Sequence, residues 1–350
     1  DQIMEKMRHP IQEILKGIME RLSVDFCNDE DLIEGLSSHI YTTILRGNRL
    51  DIETDAYMVK SMKRQYPFGF EMAAIAADYI ADMYNLSMKE NDLIYLAIHF
   101  QAAIERMKDE GEKTKIIIVC HFGAAAARII RSKIERKLVG VKVTGMYSLQ
   151  EFKSLSHLDC DCIVTTERIL KADFPIIYIS MALSEREMRK IEEGIKEIQV
   201  NHLLELNILE AIILPIEEKD MESAIKAMVQ PLQEEDFVTE EYMQSVLSRE
   251  EMSSTSLNYI ALPHGNPAMV HNTRLMIGRM DQPLLWDDSK VSCAFLFAVS
   301  AEMLREKPML FNTFYRTMAD PNVEESIKKL QMEKNLPDEV FRQKLFHILR

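Results

Sequence analysis

Four side chains of this sequence are of a type and setting that suit a nucleophile for phosphoryl transfer: His264, Cys120, His39 and His99. His264 stands in "NYIALPHGNP", where a short apolar strand stops at a rigid residue, Pro263, and continues as bare backbone at Gly265. A neutral imidazole has a ring nitrogen lone pair for attack near pH 7. Arg249, in "LSREEM" on the helix just upstream, carries a guanidinium that can pair bidentately with a phosphoryl group on that ring. Cys120 ends the apolar run "KIIIVC", and "CHFG" leads from it into a helix. Free amides and the helix dipole in such a loop favour an anion, thiolate included, and Gly123 lets the backbone approach a bound phosphate. His39 lies three residues after Leu36 and His99 three after Leu96, so both border an apolar helical stripe. Read alone, each residue also has a plainer account: a turn histidine, a small buried cysteine at a strand end, two satisfied helix histidines.

The elements that must position these groups fall into three segments. Residues 1–110 are helical in pattern. Ile11, Ile14, Leu15, Ile18 and Leu22 recur at helical spacing, and so do Leu32, Ile33, Leu36, Ile40 and Ile44. A third helix is expected near 53–64, ending before "YPFGF", where Pro67 and Gly69 break the run; a fourth covers about 70–84. The fifth opens with Ser87 and Glu90 at capping-box spacing. This predicts an all-α five-helix bundle. After the charged stretch "KDEGEKTK", residues 111–200 alternate strands and helices, which predicts an α/β domain with a parallel sheet. Residues 201–350 mix strands with helices and end in a helical tail, which predicts an α/β or α+β domain.

Composition narrows the function. The chain has 350 residues, long enough for two or three cores, and a formal net charge of −14. That balance leaves no broad basic face for a nucleic-acid backbone. No apolar run approaches a membrane span, and no signal peptide opens the chain. The five scattered cysteines, Cys27, Cys120, Cys160, Cys162 and Cys293, do not form a disulfide framework and fit a reducing cytoplasm. Cys160 and Cys162, two apart in a strand-like run, would face one side and could touch one zinc. No second ligand pair follows, so a buried strand is expected, with no metal and no cofactor.

The order of segments carries a resemblance. "LSSHIYTTILRGNRL" followed by "YPFGFEMAAIAADYIADMYNLSMKENDLIYLAIHFQAAIERM" resembles the regulation domain controlled by the sugar phosphotransferase system, whose two phosphorylatable histidines map onto His39 and His99. "KIIIVCHFGAAAARII" resembles the enzyme IIB domain of the galactitol/mannitol type, with its phosphocysteine at Cys120. "LNILEAIILPI", "SVLSREEM" and "NYIALPHGNP" resemble the enzyme IIA domain of the mannitol/fructose type, with its phosphohistidine at His264 and its supporting arginine at Arg249. The order matches multidomain transcriptional activators of sugar-utilisation operons, such as those for mannitol or lichenan. In that family helix-turn-helix domains and a first regulation domain precede this segment. The Asp start and acidic balance fit their absence, so DNA would be reached only through a missing N-terminal part. The resemblance implies phosphorylation by the phosphocarrier protein HPr or by transporter IIA/IIB components, and a homodimer.

Two positions depart from the family pattern. The IIB loop usually has Ser or Thr after its glycine; here "GAAAAR" leaves backbone amides and Arg128. The IIA domain usually has a second active-site histidine; here "EMLREKPMLFNTF" has none, Lys307 offers only charge, and His271 matches no family position. Each phosphorylation adds roughly −1.5 to −2 charges. Arg46 and Arg106, two helical turns after His39 and His99, are candidate counter-ions. A coupling of about 1–3 kcal/mol would shift a domain arrangement several-fold to over a hundredfold. Two other readings remain: a working IIB–IIA phosphotransferase needing a membrane partner, and an RNA-binding antiterminator sharing only the bundle.

Overall fold

The computed structural model describes residues 2–349, apart from 47–55, 87, 89, 111–113, 139, 156–157, 170–171, 173, 205–209, 308–309 and 334–335. Residues 1–103 together with 203–350 make one compact unit, and residues 104–202 make another.

The chain opens with the expected helices, α1 (Gln2–Leu22), α2 (Glu30–Arg46), α3 (Ala56–Gln65), α4 (Pro67–Tyr84) and α5 (Glu90–Glu110). The stripe Ile11, Ile14, Leu15 and Ile18 on α1 is fully buried, and α1 packs on α2 and α4. The third helix ends at Gln65, before Pro67 as expected, and the fourth opens at Pro67 itself rather than near residue 70. Pro67 takes the first position of α4, where its missing N–H would have had no partner anyway, and Gly69 lies inside the helix. Burial runs almost without break from Phe68 to Ala77, so α4 is the bundle's central helix rather than a surface one. The capping box expected before α5 involves Ser87, outside the described residues.

The second unit is an α/β domain: β1 (Thr114–Val119), α6 (Gly123–Lys137), β2 (Val141–Tyr147), α7 (Leu149–Ser154), β3 (Cys162–Thr165), β4 (Ile176–Tyr178) and α8 (Glu185–Leu204). Its sheet has the order β2-β1-β3-β4, and every pairing is parallel. Both faces of β1 are covered: Ile116 and Ile118 pack in one cluster, Ile117 and Val119 in the other. A parallel sheet flanked by crossover helices requires such two-sided burial, which explains the unbroken apolar run.

The chain then completes the first unit with β5 (Ile212–Ile216), α9 (Met221–Glu234), α10 (Tyr242–Met252), β6 (Ile260–Ala261), β7 (Arg274–Trp286), β8 (Ser289–Ala298), α11 (Ala301–Glu306), α12 (Leu310–Met318), α13 (Pro321–Gln331) and α14 (Asp338–Leu349). The mixed sheet has the order β5-β7-β8-β6. β7 and β8 form an antiparallel hairpin turning at Asp287, which takes a positive φ of 54°. Trp286, Tyr242, Met228 and Leu296 are fully buried in its core. Within this unit α4 packs against α12, and α1 against α11 and the turn Pro267–Met269.

Candidate functional site

The loop Pro263–Asn266 leaves β6 and is shaped by one face of α10. Tyr242, Ser245 and Arg249 recur at helical spacing on that face. The Gly265 N–H donates to the Tyr242 hydroxyl at 3.2 Å, and the Asn266 N–H donates to Ser245 Oγ at 3.0 Å. A side chain on Gly265 would meet Ser245 Oγ at 2.4 Å, so this approach of loop to helix needs a glycine. Two buried carboxylates fix the segment before β6. Glu250 accepts from the Thr255 N–H and hydroxyl and from the Trp286 indole. Glu324 on α13 accepts from the Asn258 and Tyr259 N–H groups at 2.9 and 3.0 Å. The Arg64 guanidinium of α3 also binds Glu324.

His264 is therefore held rigidly and is only 3 % exposed. Its Nδ1 lies 2.9 Å from the Leu262 carbonyl. Nε2 lies 2.8 Å from Glu71 Oε2, a side chain of α4. Arg249 donates to the same carboxylate oxygen from Nε and Nη2, both at 2.8 Å, and its Nη1 donates to the Ser253 carbonyl at 2.7 Å. The Tyr315 hydroxyl of α12 contacts the ring at 2.6 Å from Nδ1 and 3.2 Å from Nε2. Phe311 packs beside the ring at 5.8 Å between centroids. With the Glu71 carboxylate seated against it, Nε2 has no open approach for an electrophile.

Burial alone would push the Glu71 carboxyl up, but Arg249 and then His264 more than offset it and hold the group well below the usual carboxylate range. A carboxyl lowered on folding contributes stability in full above its unfolded value of about 4.3, and that contribution shrinks as pH falls below it. Urea titrations from pH 6 to pH 3 should therefore show wild type losing its stability advantage over Glu71→Gln as the solution is acidified. A constant advantage across that range would contradict the ion pair.

The sequence candidates separate into three places. His264 and Arg249 converge as described. His39 and His99 face each other's helices in the bundle: the His39 ring stacks on Tyr95 of α5 at 4.9 Å, and the His99 ring lies against Gly35 of α2. A Cβ at residue 35 would fall 2.5 Å from His99 Nδ1, so the glycine creates the space for that ring. Both histidines are half-buried, and burial lowers the His99 imidazole, which favours its neutral form. Arg46 ends α2, but its side chain is outside the described residues; Arg106 is half-buried on α5. Cys120 lies in the second unit, immediately after β1. Lys307 caps the end of α11, and Arg128 lies on α6. His271 pairs with Asp236 at 3.2 Å, and neither it nor Lys307 lines the pocket around His264.

Cys120 sits where an open parallel sheet offers a ligand crevice. It follows the C-terminal end of β1, between β2 and β3, at the point where the strand order reverses. The next residues, His121 and Phe122, are exposed, and α6 opens at Gly123. The thiol itself is only 2 % exposed. Cys160 and Cys162 do not share a face: β3 begins only at Cys162, and the two pack in clusters on opposite sides of the sheet. Burial pushes their thiols up to about 11 and about 12, and that of Cys293 to about 12. Among the described residues no group of three or more His, Cys, Asp or Glu is placed to hold a metal ion. Cys27 is half-buried and the other four cysteines are buried. Ellman's reagent should therefore titrate one thiol promptly in the folded chain and all five in guanidinium; a second prompt equivalent would mean that the Cys120 loop opens readily.

Sequence reasoning missed Glu71, Tyr242, Ser245 and Tyr315. Glu71 had a local signal, as the single charge within the apolar run from Phe68 to Ala77. Tyr315 stands beside the His264 ring and directly follows the stretch "EMLREKPMLFNTF", which has no histidine.

Residues 206–341 match the family described as "Phosphoenolpyruvate-dependent sugar phosphotransferase system, EIIA 2", and residues 12–103 match the PRD domain. The chain is 27% identical over 358 residues to the transcriptional regulator ManR of Bacillus subtilis (strain 168), covering 95% of this chain and 55% of that one. It is 27% identical over 340 residues to the "Probable licABCH operon regulator" of the same organism, covering 95% and 52%. The chain thus spans about half the length of the curated relatives it matches. Among solved structures, IIA mannitol from Escherichia coli aligns with 21% identity and a TM-score of 0.32, covering 40% of this chain and 96% of that chain. The nitrogen regulatory protein IIA-Ntr from Neisseria meningitidis aligns with 20% identity and a TM-score of 0.33, covering 41% and 94%. No described helix is long and apolar enough to cross a membrane.

Proposed function

Since the chain joins a PRD domain to an EIIA 2 domain and is homologous to two transcriptional regulators, we propose that it is the sensory part of an activator of a sugar-utilisation operon, switched by the phosphotransferase system. In this reading residues 1–110 are the regulation domain, 111–200 a IIB-like domain and 201–350 the IIA-like domain. His264 accepts a phosphoryl group on Nε2 and Arg249 neutralises it. Cys120 is the acceptor of the IIB-like domain. His39 and His99 are regulatory acceptors, and their charge change biases how the domains or two copies of the chain associate. The donors are HPr and transporter IIA or IIB components, the setting is the cytoplasm, and DNA is reached through a further part of the protein, as a homodimer.

One observation carries the proposal. Nε2 of a fixed imidazole points at an anion, and the same anion is held by a nearly buried guanidinium. A site that seats a carboxylate between an imidazole and a guanidinium has the donors for a phosphoryl group. The packing of α4 on α12 favours a regulator over a free-standing IIB–IIA transferase, because the bundle engages the acceptor site directly.

The test is to incubate the chain with enzyme I, HPr and labelled phosphoenolpyruvate and to map the label. Wild type should carry acid-labile label within residues 203–350, and His264→Ala should lose it there. Label that persists in that region of His264→Ala would overturn the assignment of His264.

A further inference from the structure

We infer that Glu71 is an internal stand-in for the phosphoryl group, so that docking of α4 and phosphorylation of His264 exclude each other. This deepens the reading of His264 as an acceptor and rests on it.

The geometry makes the exclusion direct. Glu71 Oε2 lies 2.8 Å from Nε2 and takes two donors from Arg249, the contacts a phosphoryl oxygen on that nitrogen would take. Phosphorus and carboxylate cannot share this space. The carboxylate also comes from outside the EIIA 2 match, from a helix within the PRD match. Further contacts hold α3 and α4 on the same face. Arg64 donates to the Ala319 carbonyl at 3.2 Å and binds Glu324, and Lys60 pairs with Asp288 at 2.8 Å. Lys63 donates to the Ser254 carbonyl at 3.4 Å. The face that a phosphoryl donor protein must reach is therefore occupied by the chain's own bundle.

The transfer then has a defined order. The helix withdraws, and Nε2 gives the proton it shares with Glu71 to solvent while Nδ1 holds one toward the Leu262 carbonyl, which frees the Nε2 lone pair of a neutral ring. Nε2 attacks the phosphorus of a donor phosphohistidine; the donor N–P bond breaks as the Nε2–P bond forms, and the donor ring keeps the bonding electron pair. Arg249, freed from Glu71, pairs with the new group. A phosphoryl of roughly −1.5 to −2 charges beside a buried carboxylate is strongly repulsive, so α4 cannot return. Phosphorylation becomes a release signal, read by the bundle that carries His39 and His99.

Two measurements on the full chain test this. Glu71→Ala removes the stand-in, so label from enzyme I, HPr and phosphoenolpyruvate should enter His264 roughly tenfold faster or more, because acceptance is limited by the undocked fraction. In wild type, amide exchange over residues 67–84 should speed up when the chain is phosphorylated and return when the label is removed. Equal labelling rates in wild type and Glu71→Ala, with exchange over 67–84 unchanged by phosphorylation, would overturn the stand-in while leaving His264 as acceptor. Absence of label at His264 in both proteins would instead overturn the acceptor reading on which it rests.

Discussion

Replacing Arg249 with Met should loosen α4 from its seat by about 3 kcal/mol, roughly a hundredfold in the docking equilibrium. Glu71 is 7 % and Arg249 14 % exposed at the side chain, so water does little to screen the loss. The variant leaves a buried carboxylate with only the His264 ring to balance it, and a buried charge stripped of one partner is far more costly than a pair replaced whole. Amide exchange across residues 67–84 should accelerate accordingly, while the strands β7 and β8 keep their protection. The double variant Glu71→Leu/Arg249→Met should recover most of the docking, because apolar groups of similar volume fill the seat without a desolvated charge. If the double variant is as loose as the single, the ion pair is not what holds the helix, and the coupling measured by the cycle will be near zero.

The second large effect lies at Glu324. Substitution by Ala removes the acceptor for the Asn258 and Tyr259 N–H groups and for Arg64 at once. Orphaned buried donors cost about 1–3 kcal/mol each, so a loss of about 2–4 kcal/mol is expected. In calorimetry that is a fall in Tm of roughly 5–10 °C. Glu324→Gln keeps an acceptor oxygen and should lose less than half as much. An unchanged Tm in the alanine variant would show that the segment before β6 is positioned by packing, with Lys328 over the Tyr259 ring at 3.7 Å as the nearest alternative.

Local pattern made the second unit readable, because each strand of a two-sided parallel sheet is a run such as "KIIIVC" and each crossover helix has its own period. His264 was readable for a similar reason: Pro263 and Gly265 mark a strand that must stop, and β6 is only two residues long. Glu71 was not readable. Its partners lie 178 and more positions away, and no spacing rule links α4 to α10. The break expected before Pro67 formed, but the fourth helix starts at Pro67 rather than near residue 70, because proline at the first position sets the helix dihedral instead of stopping the helix. The zinc geometry imagined for Cys160 and Cys162 assumed a strand two residues longer than the one formed.

The first compact unit is assembled from two ends of the chain, residues 1–103 and 203–350. A ribosome adding about 5–20 residues per second delivers α4 many seconds before α10. During that interval Glu71 has neither Arg249 nor His264 to meet it. A nascent chain stalled before residue 249 would present an apolar helix with an unanswered acid in its middle, a ready target for chaperones. The seat for this one acid is completed by an arginine that synthesis adds 178 positions later.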